Sequence, residues 1–266
     1  MVEWHRKSLL DFLILDFLTG RASFVFLYVT FNLFIQITMQ TFFDRLDASI
    51  AEYSLLKHPF YQAWSAGTLS TETLRTYAGQ YYQFEKEFPR FLSAVHSNTE
   101  NIEHRRQILL NLMEEEHGRP NHPELWLQFA ESVGANSDEA KQTVPFAETD
   151  NLIQTLRELT RTGDTLEGIG ALYGYESQIP EISSTKIAGL REFYGVTSQE
   201  ALAFFTVHEQ ADELHRRAER DLMQELIQSR EDEDRTIAAA QQVAIAFYKM
   251  LDGIVRECGI ECPGMA

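Results

Sequence analysis

From residue 41 to residue 255, apolar side chains return at intervals of three and four, segment after segment, and nowhere settle into the alternation of a half-buried strand. TFFDRLDASIAEYSLL, STETLRTYAGQYYQFEKEF, IEHRRQILLNLMEEE, PELWLQFAESV, NLIQTLRELTR, TLEGIGALYGYES, EISSTKIAGLREFY, SQEALAFFTVHEQADELHRRAERDLMQELI and RTIAAAQQVAIAFYKMLDGIV each carry such a stripe. A striped helix is stable only against a neighbour that covers the stripe, so the expected fold is all-α, a bundle of about seven to nine helices. Punctuation agrees with this. Thr197 to Glu200 reads as a capping box, and Gly195 and Gly134 stand where helices end.

The composition is that of one domain, or one domain with an appendage. Forty acidic against 23 basic residues give a formal charge of −17, which repels phosphate backbones and anionic membrane surfaces, so nucleic acid is excluded as a partner. The two cysteines, Cys258 and Cys262, fall in the tail CGIECPGMA, so there is no disulfide framework and a reducing cytoplasm is expected. Residues 1–38 differ from the rest, since ASFVFLYVTFNLFIQIT runs seventeen residues without a charge. That is the lower end of a membrane span, and the preceding LLDFLILDFL carries Asp11 and Asp16. A membrane anchor, a docking segment, or a true start at Met39 all fit; the last is preferred because the soluble helical pattern begins there. The expected organisation is thus an extension over 1–38, a domain over 39–256 and a flexible tail over 257–266.

Some polar residues lie on the wrong face. In the helix expected over 198–227, Ala201, Phe204 and Phe205, then Leu222 and Leu226, set a stripe whose middle is His208, Asp212 and His215. At about 100° per residue these three share roughly 60° of arc. The stripe of Ile108 and Leu112 continues to Glu115, and that of Leu166, Ile169 and Tyr173 reaches Glu176. His122 follows Glu115 by seven residues, across a break at Gly118 and Pro120. Burying such groups unpaired costs several kcal/mol. Glu115, His122, Glu176, His208, Asp212 and His215 together supply three imidazoles and three carboxylates, a donor set for two divalent ions such as iron or manganese. Within the metal reading, Glu114 and His117 form a competing E-x-x-H pair with Asp212 and His215 as D-x-x-H partner.

The stretches LLKHPFYQAW, YAGQYYQFEKEFPRFLSAVHS, NLMEEEHGRPNHPELW, ALYGYESQIP, KIAGLREFYG and FFTVHEQADELHRRAE, spread over residues 40 to 255, resemble the family of the chlamydial protein associating with death domains. That family belongs to the haem-oxygenase-like dimetal oxidases and shares the PqqC and TenA fold. The resemblance implies the same six metal ligands and an unusual activity: 4-aminobenzoate, for folate synthesis, made with dioxygen from a tyrosine of the protein itself. By that likeness Tyr61 of HPFY is the sacrificed side chain, Lys186 supplies the amino nitrogen, and Tyr77 and Tyr175 stand near the site. It also implies two divalent metals (iron, manganese or one of each), an external reductant from an unidentified electron donor, and a homodimer. Rival functions are a dimetal oxidase acting on a diffusible amino acid or fatty acid, an interaction protein, and a TenA-type hydrolase, which lacks its cysteine here.

Overall fold

A computed structural model describes residues 39–260, apart from the side chains of residues 210–213. The hydrophobic extension, Cys262 and the Asp212 side chain therefore lie outside the described residues. The chain forms two units, Met1–Arg45 and Leu46–Ala266. Of the first, residues 39–45 are described and are helical. The second contains α1 (residues 46–51), a 3-10 turn (Leu55–Lys57), α2 (Pro59–Ser65), α3 (Thr71–Glu85), α4 (Phe88–Asn98), α5 (Ile102–His117), α6 (His122–Ser132), α7 (Ser137–Gln142), α8 (Ala147–Arg161), α9 (Thr165–Glu176), α10 (Ile179–Glu192), α11 (Gln199–Leu226) and α12 (Arg230–Cys258). Among the described residues there is no strand, and no helix is long and apolar enough to cross a membrane.

Periodicity had passed over three of these helices. Two, α2 and α7, are too short to display a stripe. The third, α4, follows α3 after a break at Lys86–Glu87, with Pro89 in its first turn, where a missing N–H costs nothing. Side-chain caps fix most other starts: Ser70, Asn101, Asn136 and Ser229 accept from backbone N–H groups, and Asn121 and Asp164 form reciprocal capping boxes with Glu124 and Glu167. One boundary differs from expectation. The cap of α11 is Ser198, accepting from Ala201 N–H, so the helix starts one residue later than a Thr197–Glu200 box requires. Gly195 and Gly134 do take left-handed φ values of 69° and 82°. At the other end α12 takes in Glu257 and Cys258 before Gly259, at φ 63°, closes it.

The second unit is organised around α9, where Leu166 and every residue from Gly168 to Glu176 are buried. A helix buried all round is the core of a bundle. It tolerates this because Gly170 and Gly174, one turn apart, let α12 come close: a Cβ on Gly174 would stand 2.5 Å from the Ala240 carbonyl oxygen. Around it α3, α5, α6, α10 and α11 supply the polar groups described next.

Candidate metal centre and aromatic pocket

Glu85 on α3, His122 at the first position of α6 and His208 on α11 each offer a ligand atom, and these atoms lie within 4.8 Å of one another. All three residues are buried. The His208 ring fixes its own protonation: Nδ1 lies 2.7 Å from the Phe204 carbonyl oxygen, which can only accept, so Nδ1 carries the proton and Nε2 keeps its lone pair. Burial, with the neighbouring His122, holds its pKa well below the ordinary value, so the ring is neutral and able to ligate. Two imidazoles and one carboxylate form a set suited to non-haem iron or manganese.

Beside this trio the other expected ligands gather in pairs. Glu115 Oε2 is 2.9 Å from His122 Nδ1, so Glu115 reaches the trio through its histidine. His215 bridges two carboxylates, with Nε2 2.9 Å from Glu114 and Nδ1 3.3 Å from Glu176. Asn111 donates to the same Glu176 oxygen at 2.9 Å. Burial alone would raise the Glu176 carboxyl; His215, Glu219 and Asn111 hold it below the usual range. Of the competing E-x-x-H pair, Glu114 touches His215 but His117 is exposed, because it ends α5 on the solvent side. The donor chemistry thus fits a metal centre on the trio, with the Glu176–His215 group next to it.

Two members were missed by sequence reading, although the stripe criterion contained both. Glu85 continues Leu74, Ala78 and Tyr81 on one face of α3, and Glu219 continues His208 and His215 toward Leu222.

A pocket of aromatic rings adjoins the trio. Lys186 of α10 is 2% exposed, and its Nζ lies 5.8, 5.2 and 4.8 Å from the ring centres of Tyr61, Tyr77 and Tyr81, and 5.3 and 5.1 Å from those of Trp126 and Phe205. Desolvation pulls the amine down to a pKa of about 7, with Glu85 opposing the shift. Tyr61 and Tyr77 are also buried, with hydroxyls 3.3 Å apart, and burial pushes both phenols up. Both are therefore neutral phenols near pH 7. Tyr175 stands apart from this pair: its hydroxyl meets that of Tyr81 at 2.5 Å and its ring stacks on Phe247. Trp126 and Tyr81, unmarked in the sequence, stack at 4.2 Å, and the Trp126 indole N–H donates to the Ala78 carbonyl at 2.8 Å. Tyr61 is placed by a local device: His58 caps α2 by accepting from Phe60 N–H at 3.1 Å, which leaves its Nε2 to donate to Asp252, also at 3.1 Å.

Comparison with known proteins identifies the family. Residues 75–249 match the model of a family described as iron-containing redox enzymes. A protein of Chlamydia muridarum named 4-aminobenzoate synthase is 43% identical over 80% of this chain and 90% of its own length. A 4-aminobenzoate synthase of Nitrosomonas europaea is 40% identical over 80% of this chain and 91% of its own. In fold, the crystal structure of a CADD-like protein of unknown function from Nostoc punctiforme superposes with a TM-score of 0.71 at 19% identity, covering 85% of this chain and all of that one. The chain belongs to the iron-containing redox enzymes of haem-oxygenase-like fold, within the group of the 4-aminobenzoate synthases, and is an oxidoreductase.

Proposed function

We propose that the protein makes 4-aminobenzoate from its own Tyr61, with dioxygen and the nitrogen of Lys186. The observation that carries this reading is a buried lysine, poised near neutrality, whose amine faces the ring of a buried tyrosine next to a two-histidine, one-carboxylate cluster. The chemistry of the product maps onto that pair. Its ring and carboxyl carbon correspond to the tyrosine ring and Cβ, and its para nitrogen stands where the phenolic oxygen stood. Conversion therefore breaks the Cα–Cβ bond, oxidises Cβ and replaces the ring oxygen by an amine. Two metals held by Glu85, His122 and His208, together with Glu115, Glu176, Asp212 and His215, would supply the oxidising power from dioxygen and an external reductant.

The chain's own residues prepare the substrate. Burial keeps Lys186 available as a free amine, the nucleophilic form, at neutral pH. Trp126, Tyr77, Tyr81 and Phe205 surround that amine with rings, which keeps water from it. The Tyr61–Tyr77 hydroxyl contact and the His58 cap hold the target ring in register with Nζ. Because the source is internal, each chain acts once.

The test is yield. Purified protein given iron or manganese, a reductant and oxygen should release at most one equivalent of 4-aminobenzoate per chain with no aromatic compound added, and its mass should fall accordingly. Tyr61→Phe should give none while keeping its metal. Many turnovers on an added amino acid or fatty acid would establish the rival oxidase and remove Tyr61 and Lys186 from the chemistry.

A further inference from the structure

A cavity of about 230 Å³ opens between α4, α5, α9 and α11. Its walls are the aliphatic side chains of Leu92, Ile108, Ile169, Leu172 and Leu222. Leu110 and Leu214, each 63% exposed, stand among its lining residues at the surface. At the buried end it meets Asn111, His215 and Glu219, which surround the Glu176 carboxylate, while Glu114, with a half-exposed side chain, reaches His215 from the solvent side. The cavity thus has an aliphatic stretch, with Gln107 the further polar side chain in its lining, and reaches the side chains next to the candidate metal cluster. Two other cavities among the described residues differ in carrying basic as well as acidic groups: one contains Asp47, Lys57, Glu181 and Arg216, and the other Glu100, Arg161 and Asp164.

We propose that this cavity is the entry route and holding site for dioxygen, an uncharged apolar gas. The inference rests on the oxygen-using reaction proposed above. Two observations select the occupant. The acidic side chains of Glu114 and Glu219 in the lining, with Glu176 beside Glu219, disfavour any anionic molecule, a fatty acid or an amino acid included, because like charges repel. Between Leu92, Ile108, Ile169, Leu172 and Leu222 water finds few partners, and aliphatic space of this kind takes up apolar atoms such as xenon. A gas therefore concentrates along that aliphatic stretch, while anionic solutes are disfavoured. The aromatic pocket around Lys186 contributes none of the lining, so oxygen and the Tyr61–Lys186 pair approach the cluster by different walls.

The test uses Ala218, a small lining residue of α11 outside the metal and tyrosine machinery. Ala218→Phe should fill the cavity with its ring. Crystals of the wild-type protein pressurised with xenon should show the gas between Ile108, Leu172 and Leu222, and those of the variant should not. The reduced, metal-loaded variant should consume dioxygen with a second-order rate constant lowered about tenfold at unchanged metal content. Absence of xenon from the wild-type cavity, or oxygen consumption by a folded variant at the wild-type rate, overturns the proposal. Wild-type protein that consumes no oxygen at all overturns the functional reading and this inference with it; unchanged consumption by the variant overturns this inference alone.

Discussion

Lys186 should weaken the fold that contains it, and by an amount the structure allows to be worked out. Its ammonium in the unfolded chain has a pKa of 10.5, against about 7 when enclosed by the five rings. At about 1.4 kcal/mol per pH unit, that difference amounts to about 5 kcal/mol of lost stability at acidic pH. The sign follows from proton counting: between pH 7 and 10.5 the unfolded state holds the proton and the folded state does not, so this penalty shrinks as pH rises through that window. Lys186→Met removes the titrating group while keeping an unbranched side chain of similar length, at a repacking cost of about 1 kcal/mol. Metal-free protein, whose Tyr61 and Lys186 are intact, is the right sample. Urea unfolding should find the variant more stable than wild type by about 3 kcal/mol or more at pH 7, with the gap closing toward pH 10. A variant of equal or lower stability at pH 7, or a gap independent of pH, would refute the claim that the amine is held in a dry pocket and is neutral there.

Other outcomes follow from single contacts. Glu85→Ala should lower iron or manganese affinity by at least about tenfold in equilibrium dialysis, with helicity unchanged, since it takes one carboxylate from the trio. Gly174→Ala should destabilise the protein by about 2 kcal/mol or more in thermal or urea unfolding, because the new methyl meets the α12 backbone at Ala240. His58→Ala should cost about 2–4 kcal/mol through the lost cap, the lost Asp252 bond and the space left behind, and His58→Asn should recover part of it by capping Phe60 again.

The helical class was legible because apolar spacing is a local property, and the polar cluster was legible wherever it interrupted a long stripe. Glu115, Glu176, His208 and His215 all occupy buried positions on the faces their stripes define. Glu85 shows where attention failed: flanked by Lys86 and Glu87, it reads as part of a charged helix end, although Tyr81 one turn earlier shares its face. His122 illustrates the opposite case. It follows a helix break, and only the new helix started by Asn121 turns its ring back toward Glu115 and His208. The burial of Lys186 was hidden from the sequence. KIAGLREFY offers a lysine that any exposed helix face accommodates, and its enclosure depends on Tyr81, Trp126 and Phe205 from three other helices. Tertiary convergence of that kind has no local signature. Family resemblance alone brought Tyr61 and Lys186 forward, and their proximity is what the structure adds.

The most direct measurement of the central claim is anomalous diffraction from metal-loaded crystals at the iron and manganese edges. The account predicts density between Glu85, His122 and His208, with a second peak bounded by Glu115, Glu176 and His215. Peaks confined to surface carboxylates, with the buried cluster closed by hydrogen bonds among its own side chains, would contradict it.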